Sequence, residues 1–218
     1  MSHNTPAVDV SHLAAFDTDG AIEEAADRVN SRRRFLGATG ALLGGAAFAG
    51  GLLPGSAHAA ATKSDIAILN YALTLEFLES AFYAQALDKA GLSGRLERFC
   101  RTVRSHERTH VVTLRKVLGS KAVKRPNFDF GGTVSSPSAF TATSILLEDT
   151  GVMAYQGQAG NIRSQTVFKA AISIHPVEAR HAAWIRDIAG QAPAPDSFNP
   201  AKSMSQILAA VQGTGFIK

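Results

Sequence analysis

The chain has 218 residues, with 22 Lys and Arg against 18 Asp and Glu, and a single cysteine. Cys100, being alone, excludes an internal disulfide framework, and a net charge of +4 is too small and scattered for a polyanion-binding surface. Even the densest basic run, KAVKRP at 121–126, lacks interleaved aromatic residues, so no nucleic-acid partner is expected.

In chain order, positions 1–30 read as a leader. SRRRFL at 31–36 follows, then the uncharged GATGALLGGAAFAGGLLPGSAHA, ending in Ala57-His58-Ala59. A basic patch, an apolar stretch and an A-x-A end make an export signal. Its paired arginines and Gly-rich, mildly apolar core resemble a bacterial twin-arginine signal. The glycines and small-residue ending favour cleavage after Ala59 over an uncleaved anchor spanning Phe35 to Leu53. Residues 1–59 are thus the signal and leader. The mature chain, shorn of four cations and six anions, carries +6 and is expected in the periplasm or outside the cell, free of the membrane.

Four long helical patterns follow, with apolar residues at three- and four-residue spacing. The first runs from about Asp65, after Ser64 as its cap, to Gly91. The second runs from Gly94, after Ser93, to Leu118 and stops at Gly119. The third follows Ser136-Pro137 and reaches Gly160; the fourth runs from about Ile162 to Ala189, before Gly190. Links at Gly91–Ser93 and Gly160–Asn161 are short enough to force antiparallel hairpins. SKAVKRPNFDFGGTVSSP, between the second and third helices, is long enough to cross a bundle's full height. The fold expected for 60–190 is all-α, an antiparallel four-helix bundle with one long crossover. Residues 191–218 form a tail with one short helix near 203–212 and a loose end.

Chemistry enters with two Glu-x-x-His pairs on otherwise apolar faces: Glu107 with His110 in SHERTH, and Glu178 with His181 in HPVEARHAAW. The other two helices each carry a glutamate in an apolar run, Glu76 and Glu148, with Tyr83 and Tyr155 two turns on. The interval from Glu76 to Glu148 matches, to within a single position, the intervals from Glu107 to Glu178 and from His110 to His181. Two hairpins of one plan therefore offer four carboxylates and two imidazoles to a common centre. Unneutralised, such carboxylates would repel and take up protons at several kcal/mol each. Two divalent ions would balance them, as in di-iron and di-manganese carboxylate bundles. One imidazole per ion among carboxylates suits iron or manganese better than zinc. Glu107 and Glu178 are placed to bridge, Glu76 and Glu148 to cap one ion each, and Tyr83 and Tyr155 to hydrogen-bond carboxylates.

Other residues read more plainly. Glu79, on a nearby face, is expected at the rim, with a supporting place beside the ligands as its alternative; His106 is expected on the flank, Trp184 in the core, and Cys100 as a buried, inert thiol. Asp149 should turn toward Arg180 or Lys169. His175 stands open between a ligand or proton relay and simple packing beside a bend from Pro176, whose ring breaks a helical bond at about 3 kcal/mol.

LNYALTLEFLESAFY, HERTH, the FDF of the crossover, LLEDTGVMAYQGQA and VEARHAAWIRDI resemble the ferritin-like domain proteins related to desiccation- and stress-associated proteins. More distantly they resemble bacterioferritin and rubrerythrin. The resemblance covers the mature chain. It implies Glu76, Glu107, His110, Glu148, Glu178 and His181 as metal ligands, and a ferritin-like bundle; the HP before VEARH departs from it. Expected chemistry is that of two iron ions, or manganese, meeting dioxygen or peroxide in stress protection, as a ferroxidase or peroxide scavenger. The contrasting expectation is a non-enzymatic stress or surface bundle with a structural or lost metal site. Iron storage would require a cage of copies; a simpler homo-oligomer stays open.

Overall fold

The structure, a computed structural model, describes residues 61–218. The export signal and leader assigned to 1–59 lie outside the described residues. Among the described residues five α-helices carry the fold: α1 Lys63–Lys89, α2 Gly94–Leu118, α3 Pro137–Gln158, α4 Gln165–Ile188 and α5 Met204–Thr214. Among the described residues there is no strand, only an isolated bridge, and no helix long and apolar enough to cross a membrane. The first hairpin packs α1 on α2, the second packs α3 on α4, and α1–α3 and α2–α4 contacts join them. This is the expected antiparallel bundle.

Helix ends follow local chemistry. α1 begins earlier than a cap at Ser64 would allow: Thr62 accepts from the Asp65 N–H at 3.1 Å, and Asp65 accepts from the Thr62 N–H at 2.9 Å. That reciprocal box satisfies two of the N–H groups left over at a helix start. Asp65 is also buried, and it accepts from the Arg163 N–H at 2.8 Å, tying the start of α1 to the α3–α4 link. Ser93 and Ser136 sit at the caps of α2 and α3, although only Ser136 bonds a helix N–H, that of Ala139. Gly119, at φ 56°, ends α2, a left-handed turn that glycine makes without strain. α3 instead runs out through a 3₁₀ turn over Ala159–Asn161, and α4 starts at Gln165.

α4 passes through Pro176 without interruption, so the proline does not open the helix. Pro176 and Ile172, the residue four before it, both face solvent. The carbonyl that loses its partner therefore lies on the wet side, where water can take the N–H's place.

The crossover and the C-terminus hold each other. Asp129 N–H donates to Phe216 O at 2.9 Å and Lys218 N–H to Asn127 O at 3.0 Å, around the antiparallel Phe128–Ile217 bridge. The end of the chain is thus anchored, not loose. Phe130 is buried against Phe82 and Phe216, and Ile207 and Val211 of α5 join the same core. α5 lies against α3, and Lys202 comes so close that a Cβ on Gly157 would sit 1.9 Å from its carbonyl oxygen. Tyr83, Phe82, Phe99 and Phe140 fill the bundle end beneath this strap. Cys100 is buried there, its thiol pushed up to about 12 by burial, which leaves it in the unreactive protonated form. Trp184 is half-buried, edge-on to Phe99 at 5.2 Å, and so lines the core's margin instead of filling its centre.

Candidate metal centre

Glu76 comes from α1, Glu107 and His110 from α2, Glu148 from α3, and Glu178 and His181 from α4. All six are buried, the histidines 8% and 3% exposed and the carboxylates 1% or less. They close on one point in two groups that could each hold a metal ion: Glu76, Glu107, His110 and Glu178, and Glu107, Glu148, Glu178 and His181.

Shared residues link the groups. Glu107 turns Oε2 to His110 Nδ1 at 3.1 Å and Oε1 to His181 Nδ1 at 3.3 Å. Glu178 does the same, with Oε1 3.1 Å from His110 Nδ1 and Oε2 3.6 Å from His181 Nδ1. Glu76 Oε2 adds a third contact to His110 at 3.1 Å, and Glu148 Oε2 a third to His181 at 3.2 Å. One ring nitrogen carries at most one proton, so it cannot donate to three carboxylates at once. Glu107 Oε1 and both Glu178 oxygens are buried without a hydrogen-bond partner. The spacing has another meaning. Donors bonded to one six-coordinate ion at about 2.1 Å stand about 3.0 Å from one another. Oxygens and nitrogens at 3.1–3.6 Å could form the edges of such a cage, slightly expanded, and a cation would satisfy the orphaned oxygens.

Electrostatics agree. Burial drives Glu107 well above the ordinary carboxylate range and Glu148 up to about 7. Burial would raise Glu178 too, but the imidazoles of His110 and His181 outweigh it and hold that carboxyl down at about 2. Against the burial that disfavours its charge, His181 is raised to about 12 by Glu107, Glu148 and Glu178, and His110 is raised likewise by Glu107, Glu178 and Glu76. The pocket calls for positive charge and takes protons on its imidazoles when nothing else supplies it.

The tyrosines bond across the hairpins. Tyr83 of α1 donates to Glu148 Oε1 of α3, and Tyr155 of α3 donates to Glu76 Oε1 of α1. Spacing along one helix placed each tyrosine near the centre but could not show that each serves the opposite hairpin's glutamate.

Of four neighbours, Glu79 and Asp149 depart from expectation. Glu79 is 3% exposed, not at the rim. His106 lies on the flank, yet its Nδ1 is 2.8 Å from His181 Nε2 and the two rings stack; a ligand histidine's second nitrogen is commonly held in this way. Asp149 forms a two-pronged pair with Arg186, beyond the expected Arg180 on the same helix. His175 falls outside both groups; it is half-buried, with Nε2 buried and unbonded. No pattern within α2 could have flagged His106, because its partner lies on α4, far along the chain. Beside it an open cleft of roughly 440 Å³, lined by His106, His110, Arg180, His181 and Trp184, leads from solvent to the imidazole side of the cluster.

No curated protein matches the chain. Among solved structures, a conserved hypothetical protein, rv2844, from Mycobacterium tuberculosis is similar at 16% identity and a TM-score of 0.51, over 62% of this chain and 96% of that one. A hypothetical protein, MJ0754, from Methanococcus jannaschii is 10% identical at a TM-score of 0.48, over 77% of this chain and 98% of that one. The first has the same helical fold. The model of the ferritin-like domain matches residues 64–191, a span that holds every residue of the cluster and the four bundle helices save the first residue of α1. The chain belongs to the ferritin-like domain family.

Proposed function

We propose that the cluster holds two divalent ions, iron or in its place manganese, and that the protein consumes dioxygen or peroxide, protecting an exported compartment against oxidative or desiccation stress. The observation that carries this is the bridging posture of Glu107 and Glu178, each with one oxygen toward His110 and the other toward His181. Two divalent ions carry the charge that offsets four buried carboxylates. Oxygen-rich coordination with one nitrogen per ion favours iron or manganese. When bound, such ions supply the electrons that reduce a small oxidant.

The chain's own residues do the rest. Tyr83 and Tyr155 restrain Glu148 and Glu76 from the far side, and His106 fixes the ring of His181. Burial keeps bulk water from the carboxylates, while the cleft beside His106 admits a molecule of dioxygen's size. The twin-arginine pattern at 31–36 suits a protein that folds around its metal before export, with the periplasm or the exterior as its destination.

The test is anaerobic loading with ferrous iron followed by exposure to air, or to hydrogen peroxide, with ferrous loss and oxidant uptake followed together. Uptake should outpace that of a Glu178→Ala/His181→Ala chain by at least about 100-fold, the scale lost when catalytic positioning is removed. Tight metal binding without faster uptake would instead identify a bundle stiffened by metal and no oxidoreductase.

A further inference from the structure

The two halves of the centre are related by a near-constant step along the chain, and the step exposes one mismatch. The step that takes Glu76 to Glu148 also takes Tyr83 to Tyr155, but it takes Glu79 to Gly151. One half offers a carboxylate where the other offers no side chain.

The structure gives the mismatch a shape. Glu79 is 3% exposed, and its carboxyl makes no hydrogen bond with the described residues. A Cβ on Gly151 would lie 3.4 Å from Glu79 Oε1 and 3.5 Å from Glu178 Oε2. Glu79 Oε1 and Glu178 Oε2 therefore border one space, the one the missing side chain leaves. The Glu178 oxygen there is Oε2, the one turned to His181; Oε1 faces His110. Gly151 itself lies one turn beyond Glu148 on α3. A carboxylate buried this deeply beside another carboxylate is costly to keep charged. Leucine or methionine would fill the same space without that cost. His110 and His181, the cations within reach, already face Glu76, Glu107, Glu148 and Glu178. A cation from outside the chain would offset the cost.

Resting on the dinuclear reading above, we propose that Glu79 is a seventh protein ligand, serving only the ion held by Glu107, Glu148, Glu178 and His181. As it lies, Glu79 stands outside that group; a change of rotamer in the space beside Gly151 brings it in. The two ion positions then differ. The ion on the Glu148 side meets four carboxylates and one imidazole, and the ion on the Glu76 side meets three and one. The extra negative charge makes the Glu148-side position the tighter one and the first to fill.

Anaerobic titration of the metal-free chain with Mn²⁺, followed by the electron paramagnetic resonance of free Mn²⁺, reads this directly. Wild type should take up two ions in two unequal steps. Glu79→Gln should weaken the tighter step by about tenfold or more, the scale on which metal sites respond to a lost supporting group, and leave the weaker step unchanged. Gly151→Val, which crowds the space while keeping Glu79, should weaken the same step. Metal-free Glu79→Gln should melt no lower than wild type, since it loses a charge buried beside other carboxylates; a lower melting point would point to a packing role and overturn the assignment. Two-ion uptake in wild type with both variants matching it, or with both steps weakened equally, would also overturn it while leaving the dinuclear centre standing. Failure of wild type to take up two ions would overturn the dinuclear reading first.

Discussion

Tyr83 on α1 donates its hydroxyl to Glu148 on α3, and Tyr155 returns the bond from α3 to Glu76 on α1. The two hairpins are thus stitched through the outer glutamates of the cluster, at the level where a buried carboxylate most needs a donor. Tyr83→Phe and Tyr155→Phe remove one donor each without changing ring volume. Each should lower the unfolding free energy of the metal-free protein by about 1–2 kcal/mol, as for a lost hydrogen bond to a buried group. Urea unfolding checks this; a change of less than about 0.5 kcal/mol would mean the bonds contribute no more than an exposed contact.

His106 reaches His181 from the solvent side of the cleft, 2.8 Å from its Nε2. His106→Phe keeps the stacked ring and removes the polar atom. Metal affinity should fall about 10- to 100-fold, with the fold and melting behaviour of the metal-free chain unchanged. Competition against a chelator of known affinity gives the number. Unchanged affinity would leave His106 as a surface residue that only stacks on its neighbour.

Gly157 has a different burden. A Cβ there would fall 1.9 Å from the carbonyl oxygen of Lys202 and 2.8 Å from its carbonyl carbon, so backbone must move. Gly157→Ala should push the 191–218 strap off α3 at a cost of about 1–3 kcal/mol, the range for overpacking. It should also expose the segment to protease well before the bundle unfolds. Because Phe216 and Ile217 pair with the crossover, loss of the strap should loosen residues 127–130 as well, visible as faster amide exchange at Asp129.

Pro176 lies on the solvent face of a continuous α4. Pro176→Ala restores the missing N–H and should stabilise the chain by about 1–2 kcal/mol, less than the full interior cost of about 3 kcal/mol because proline also restricts the unfolded chain. Metal uptake should not change, since His175 stands outside both groups. Destabilisation would show that Pro176 packs productively in a way its exposure does not suggest.

Much of this molecule is legible in its sequence. The four helices, the order of short and long links, and the six convergent residues all follow from helical periodicity and from one spacing that recurs between Glu76 and Glu148, Glu107 and Glu178, and His110 and His181. Those signals are local, or are copies of one another. What escaped depended on partners far away in sequence. Glu79 reads as a rim residue because α1 alone gives no sign of how deeply the other helices bury it. His106 reads as a flanking residue because its bond is to another helix. The C-terminal end reads as loose because backbone-to-backbone pairing with Asn127 and Asp129 leaves no side-chain signature. Ser64 displaced Thr62 as the expected cap because both precede the same apolar run, and only the Asp65 carboxylate decides between them.

The central claim is that Glu107 and Glu178 bridge two ions. Metal analysis of the purified chain after anaerobic reloading with Fe²⁺ and removal of loosely held metal tests it most directly, beside a Glu178→Ala/His181→Ala chain that removes one bridge and one imidazole. Two ions per chain in wild type and at most one in the variant is the predicted result. No retained metal in the reloaded wild type, or equal retention in the two chains, would contradict it.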